Sequence, residues 1–124
     1  MLLAFCLSLQ LSNVDQKGIG KTTPVRAYEG KGDSPFGVVD MAGNVWEWCL
    51  DWYASYPSAA NSVTDPTGPF SLCSSCSASV HVVRGGSWFN SYAYARSASR
   101  FAWEQGDSNI AIGFRLVLVP RVNQ

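Results

Sequence analysis

Residues 38–53, "VVDMAGNVWEWCLDWY", are the stretch that decides how this chain folds. Asp40, Gly43 and Asn44 are turn formers, and Asn and Gly tolerate the left-handed backbone region that a tight polar turn requires. The stretch therefore reads as a turn at 40–44 leading into a tryptophan-rich segment that carries Trp46, Trp48 and Trp52. Asp40 and Glu47 are hard oxygen ligands on either side of that turn, whose main-chain carbonyls are also exposed, and these are the raw materials of a calcium site. The same residues also allow a plainer reading, in which Asp40 caps the turn and Glu47 pairs with an arginine.

Upstream, "VDQKGIGKTTPVRAYEGKGDSPFG" at 14–37 reads as a loop with one short extended piece at 23–28, because Pro24 keeps Thr23 out of the helical region. Downstream, 54–79 contains Pro57, Pro66, Gly68 and Pro69 and reads as an irregular insertion. Three strand-like runs follow: "HVVRGGSW", "YARSASRFAW" and "IGFRLVLV". The last is β-branched and aromatic throughout, and it ends at Pro120. The expected architecture is one small α+β domain over 1–124, in which loops outweigh a short antiparallel sheet. Its parts are a scaffold at 14–53, an insertion loop at 54–79 and a binding region at 84–118.

Composition narrows the function. The 124 residues are 47% hydrophobic and 13% aromatic, enough for a folded core. Nine basic side chains balance nine acidic ones, which leaves no basic field for nucleic acid or anionic lipid. The apolar N-terminus, "MLLAFCLSLQLSN", lacks a positive region before it and is too short to cross a bilayer, so it reads as an apolar first strand.

Familiar chemical motifs fail one by one. "GIGKTT" has Asp15 where a phosphate-binding loop needs its first glycine, so it reads as a solvated turn. Cys73 and Cys76 form one C-x-x-C without further soft ligands at short spacing, which leaves a loop disulfide or two plain thiols. His81 is the only histidine and leads into a β-branched run, so no Ser-His-Asp arrangement can be assembled around it.

Taken in order, "FGVVDMAGNVWEWCLDWY", "VVRGGSWFN", "ARSASRF" and "IGFRLV" resemble the sulfatase-modifying-factor family, which contains the formylglycine-generating enzymes and has a C-type-lectin-like fold. The resemblance spans about 17–118 and matches a minimal or C-terminal version of the family domain. It implies a structural calcium ion held by the side chains of Asp40 and Glu47 and the carbonyls of Gly43 and Val45. It also implies that the copper-binding cysteines of the oxidising members fall here on Asn90 and Ala95. Neither residue supplies a thiolate, so no copper and no catalytic residue are expected.

The segment between R-G-G-S-W and G-F-R mixes rings with small polar groups, as antibody binding loops do. It is similar to the variable proteins of diversity-generating retroelements, in which adenines of template asparagine codons are rewritten. Phe89, Asn90, Ser91, Tyr92, Tyr94, Ser99, Phe101, Ala102, Asp107, Asn109 and Ala111 all fall within the residues that such rewriting can produce. Trp103, Glu104 and Gln105 do not, and read as scaffold together with Arg84, Gly85, Gly86, Ser87, Trp88, Gly113, Phe114 and Arg115. Arg96 and Arg100 are expected to tie loops to carboxylates. The reading that follows is a non-catalytic display protein on a virion or cell surface. It would bind a protein or cell-surface ligand through 89–111 on one exposed face, without nucleic acid or membrane insertion. The alternatives are a formylglycine-generating oxidoreductase acting on protein cysteine, and a degenerate accessory member of that family.

Overall fold

The computed structural model describes residues 11–56 and 80–118. The apolar N-terminus before Leu11, most of the insertion loop, and Cys73 and Cys76 lie outside the described residues. Four strands form one sheet in the order β3-β2-β1-β4: β1 (Trp46–Trp52), β2 (Val80–Arg84), β3 (Phe101–Glu104) and β4 (Ile112–Gly113). β1–β2 and β2–β3 are antiparallel, whereas β4 runs parallel to β1. The sheet is thus mixed rather than antiparallel. Among the described residues the helical content is two 3-10 turns, at Asp15–Lys17 and Tyr92–Ala95.

Three local expectations change, the first being that "YARSASRFAW" becomes strand only from Phe101 and starts in a 3-10 turn at Tyr94 and Ala95. The extended piece at 23–28 is a run of turns from Val25 onward, with Arg26 at φ 69° and its N–H donating to Asp40 Oδ2 at 2.8 Å. "IGFRLVLV" gives only a two-residue strand, because only Ile112 and Gly113 find a partner strand, opposite Trp46 and Glu47. Phe114, Leu116, Val117 and Leu118 continue beyond it as exposed, unpaired chain. A β-propensity run needs a partner ladder before it becomes a strand.

The turn at 40–44 forms as its residues demand, with Asp40, Gly43 and Asn44 all at positive φ. Asn44 then acts as a clamp. Its Oδ1 accepts the Thr23 N–H at 2.9 Å, its Nδ2 donates to the Thr23 carbonyl at 3.2 Å, and its own carbonyl accepts the Trp88 N–H at 3.0 Å. Its backbone N–H donates to the Asn13 carbonyl at 2.8 Å, and Asn13 Nδ2 reaches the Lys21 carbonyl at 2.9 Å. One asparagine in a left-handed conformation thereby joins the N-terminal loop, the turn and the glycine pair. Gly43 lies so close to Asn13 that a Cβ there would overlap the Asn13 carbonyl oxygen.

β1 carries the core. Trp46 is buried with Val14, Val82, Val83, Ala95 and Ala111. Its backbone N–H donates to the Ala111 carbonyl at 2.7 Å, and its indole N–H donates to Asn90 Oδ1, also at 2.7 Å. The buried Ser87 hydroxyl donates to the same Asn90 oxygen. Cross-strand register aligns Trp48, Val83 and Phe101 on one face of the sheet, and Trp52, His81 and Trp103 beside them. His81 stacks on Trp52 with ring centroids 4.0 Å apart and meets Trp48 edge-on. This packing accounts for the lone histidine.

Two stability measurements check these anchors. Gly43→Ala forces a side chain into a positive-φ site against backbone and is expected to cost at least about 2 kcal/mol in denaturant unfolding. Asn90→Ala strands the indole N–H and the Ser87 hydroxyl and is expected to cost about 1–3 kcal/mol, with Asn90→Asp retaining more of the stability because it keeps the acceptor.

Candidate functional site

The segment after the glycine pair leaves the sheet and returns to it at Phe101. Gly85 and Gly86 both sit at positive φ, and a Cβ on Gly86 would crowd the backbone of Tyr94 and Ala95 at 3.1 Å. This close approach lets the loop fold back over the sheet. Ser91 caps the 3-10 turn by accepting from the Ala93 N–H, and the Tyr92 N–H donates to Gln16 Oε1 at 3.1 Å. Ser99 Oγ closes the loop onto the Ala93 carbonyl at 2.8 Å.

Two arginines brace this loop, although not through carboxylates. Arg84 Nη1 donates to the carbonyls of Ser97 and Ser99 at 3.0 and 3.1 Å, and its Nη2 donates to the Tyr56 hydroxyl. Arg100 stacks over the rings of Tyr56 and Tyr53, 3.9 and 4.6 Å from their centroids. A guanidinium is weakly hydrated and planar, so a ring face suits it as well as an anion does. The roles of Tyr53 and Tyr56 were not anticipated from sequence, where only their aromatic character could have pointed to them. Gln16 carried no signal at all.

On this frame Phe89, Tyr92, Tyr94 and Phe101 are 45–49% exposed. Each ring is thus half seated and half open to solvent. Tyr94 and Phe101 both lean on Trp46, with centroids 6.1 Å away in each case, and Phe89 meets Trp88 edge-on at 5.1 Å. Ser91 and Ser99 are partly exposed beside them, and Asp107 and Asn109 are exposed in the β3–β4 connection.

Three of the expected ligand contacts fall elsewhere. Ala111 is 0% exposed; its carbonyl accepts the Trp46 N–H and its own N–H donates to Asn109 Oδ1 at 2.9 Å. Asn90 spends its side-chain oxygen on Trp46 and Ser87. Ala102 pairs with Val82 and so lies on the sheet face opposite Phe101, by strand alternation. The single exposed face expected for all eleven positions is therefore narrower than the segment. Burial of Ala111, hydrogen bonding of Asn90 and strand alternation at Ala102, none of which codon arithmetic can see, set these three apart.

The expected calcium positions tell a similar story. Both Glu47 carboxylate oxygens accept from Arg115, Nε at 2.6 Å and Nη2 beside it. The same guanidinium donates from Nη1 to the Val39 carbonyl and from Nη2 to the Asp40 carbonyl, both at 3.1 Å. Asp40 Oδ2 is taken by the Arg26 N–H, and the Gly43 N–H donates to the Gly85 carbonyl at 2.7 Å. A calcium ion needs six to eight oxygens, with carboxylate charge turned toward it. Here a fixed positive charge already holds the Glu47 carboxylate, so the two carboxylates expected to face the ion, those of Asp40 and Glu47, are engaged by protein donors instead.

Among the described residues the one cysteine is Cys49. The two positions aligned with copper-binding cysteines hold the hydrogen-bonded Asn90 and the buried Ala95. Cys49 lies on β1, where burial pushes its thiol up from the ordinary value, away from the thiolate a nucleophile needs.

Comparison with known proteins agrees with this architecture. Residues 8–119 match the family described as a sulfatase-modifying factor enzyme 1-like domain. The formylglycine-generating enzyme of Streptomyces coelicolor is 34% identical over 106 residues, which is 83% of this chain and 31% of that enzyme. The serine/threonine-protein kinase pkn1 of Chlamydia caviae is 38% identical over 96 residues, 76% of this chain and 14% of the kinase. Among solved structures, Treponema denticola variable protein 1 superimposes with a TM-score of 0.70 at 30% identity, covering 85% of this chain and 34% of that one. CarF superimposes at 0.56 with 22% identity over 86% of this chain and 32% of that one, a likeness of fold alone. The chain spans about a third or less of the length of these relatives. A tryptophan-rich strand following a G-N-V-W-E-W turn, a glycine pair folding a loop back over it, and a family match across nearly the whole sequence lead to one conclusion: this chain belongs to the sulfatase-modifying-factor family and carries its C-type-lectin-like fold.

Proposed function

We propose that this chain is a non-catalytic ligand-binding domain, a variable protein of the retroelement-diversified type that binds a protein or cell-surface ligand. The observation that carries the reading is the half-exposed ring set Phe89, Tyr92, Tyr94 and Phe101. It is mounted on a loop braced by hydrogen bonds from the Arg84 and Ser99 side chains to main-chain carbonyls and by arginine stacking rather than by the rings' own burial. Rings held this way can be exchanged with little cost to the frame, and half-open aromatics next to small hydroxyls make good contact surface. The likeness to a variable protein of the same fold supports the reading, as do the missing thiols at positions 90 and 95. Asp107 extends the exchangeable set, whereas the side chains of Ser91, Ser99 and Asn109 are hydrogen-bonded within the frame. The balanced charge favours a protein or surface ligand over nucleic acid, and a virion or cell surface is where such a domain would be presented.

Randomising Phe89, Tyr92, Tyr94, Phe101 and Asp107 to Phe, Tyr, Ser, Ala, Asn or Asp tests the exchangeable surface. Most library members are expected to melt within a few degrees of the parent, and a displayed library should yield binders to an arbitrary folded protein. A library in which most members fail to fold would defeat the proposal. The same randomisation at Asn90 and Ala111 should unfold most members, since those two sites hold the frame together.

The family's oxidising chemistry offers the rival reading, because formylglycine-generating enzymes are among the relatives. Incubating the full chain with copper and a cysteine-bearing sulfatase peptide is expected to leave the peptide unchanged by mass spectrometry. Conversion of the cysteine would reverse the ranking of the two readings.

A further inference from the structure

We infer that Arg115 is the built-in cation of this domain and replaces the structural calcium ion that the family resemblance implies. The guanidinium makes four donations: two to Glu47, one to the Val39 carbonyl and one to the Asp40 carbonyl. It thereby joins β1 to the two residues on which the 40–44 turn begins, and ties both to the chain just beyond β4. A bound cation between Asp40 and Glu47 would make the same connection.

Geometry favours a guanidinium in this role. Glu47 pairs with Gly113 in the parallel register, so a side chain two residues further along the same chain, on the same side, reaches back over the Glu47 carboxylate. The planar fork of arginine then meets both carboxylate oxygens and still has N–H groups for two carbonyls, which a lysine could not satisfy together. Both side chains are largely shielded, Arg115 being 33% and Glu47 23% exposed. The Glu47 hydrogen bonds hold the guanidinium even further above its already high value, so it stays charged at any pH at which the protein folds. A calcium ion would have to displace that charge before it could reach the carboxylate.

The full chain, melted with chelator and with millimolar calcium, tests the inference. The two melting temperatures are expected to coincide. Arg115→Met is expected to lower the melting temperature by roughly 5 °C or more, because it leaves the Glu47 carboxylate half-buried and unpaired. If Arg115→Met does not fold, Arg115→Lys is read instead; it keeps the charge but loses the fork and should melt a few degrees below wild type, an unchanged melt overturning the inference. Terbium, excited through the neighbouring tryptophans, is expected to give no sensitised emission with the wild-type chain. A chelator-induced drop in the wild-type melt, saturable terbium emission from the wild-type chain, or a methionine variant as stable as its parent would each overturn the inference.

Discussion

The indole of Trp46 is the point on which the rest of this structure depends. It is buried, its N–H is committed to Asn90, its backbone N–H starts the β1–β4 ladder at Ala111, and its ring edges support Tyr94 and Phe101. Removing a ring of this size from water is worth about 4 kcal/mol as an upper bound. The buried apolar set described here is otherwise small, mainly valines and alanines. A loop-rich domain of this kind gains order from a few large anchors and from hydrogen-bonded loop junctions rather than from broad core area.

The same anchor explains how a variable surface can coexist with a fixed frame. Of the rings proposed to contact ligand, Tyr94 and Phe101 rest on Trp46 and Phe89 on Trp88, but the loop that carries them is held by Arg84, Arg100, Ser91, Ser99 and Gln16. Structural duty and contact duty are therefore divided between neighbouring residues of one segment. Asn90 shows where the division falls. It sits between Phe89 and Ser91 in sequence, yet its side chain points to structural work because two buried donors need its oxygen.

The Glu47–Arg115 pair shows a second economy. A domain assembled from turns must bind loop carbonyls to a strand, and an internal guanidinium does this without a ligand from solution. The cost is the desolvation of two charges, which the four donations of Arg115 offset. Of the two readings open for Glu47 in the sequence, a metal ligand or an arginine partner, this arrangement favours the second.

Much of this was present in the order of amino acids. Gly43 and Asn44 announced a positive-φ turn and Gly85–Gly86 announced a close backbone approach, since each rests on local sterics that a residue carries with it; that the tryptophan-rich segment is the central strand appeared only in the fold. The ordered motif blocks carried the fold family. Other features appeared only with the chain folded. Whether "IGFRLVLV" becomes a long strand depends on a partner, and only its first two residues have one. Which of the small and aromatic residues at 89–111 face outward depends on strand alternation and on where Trp46 lies. Which cation serves Glu47 depends on a parallel register between segments 66 positions apart, Glu47 and Gly113. Local conformation follows from side-chain sterics along the chain, whereas exposure, pairing and charge partnership are properties of neighbours in space.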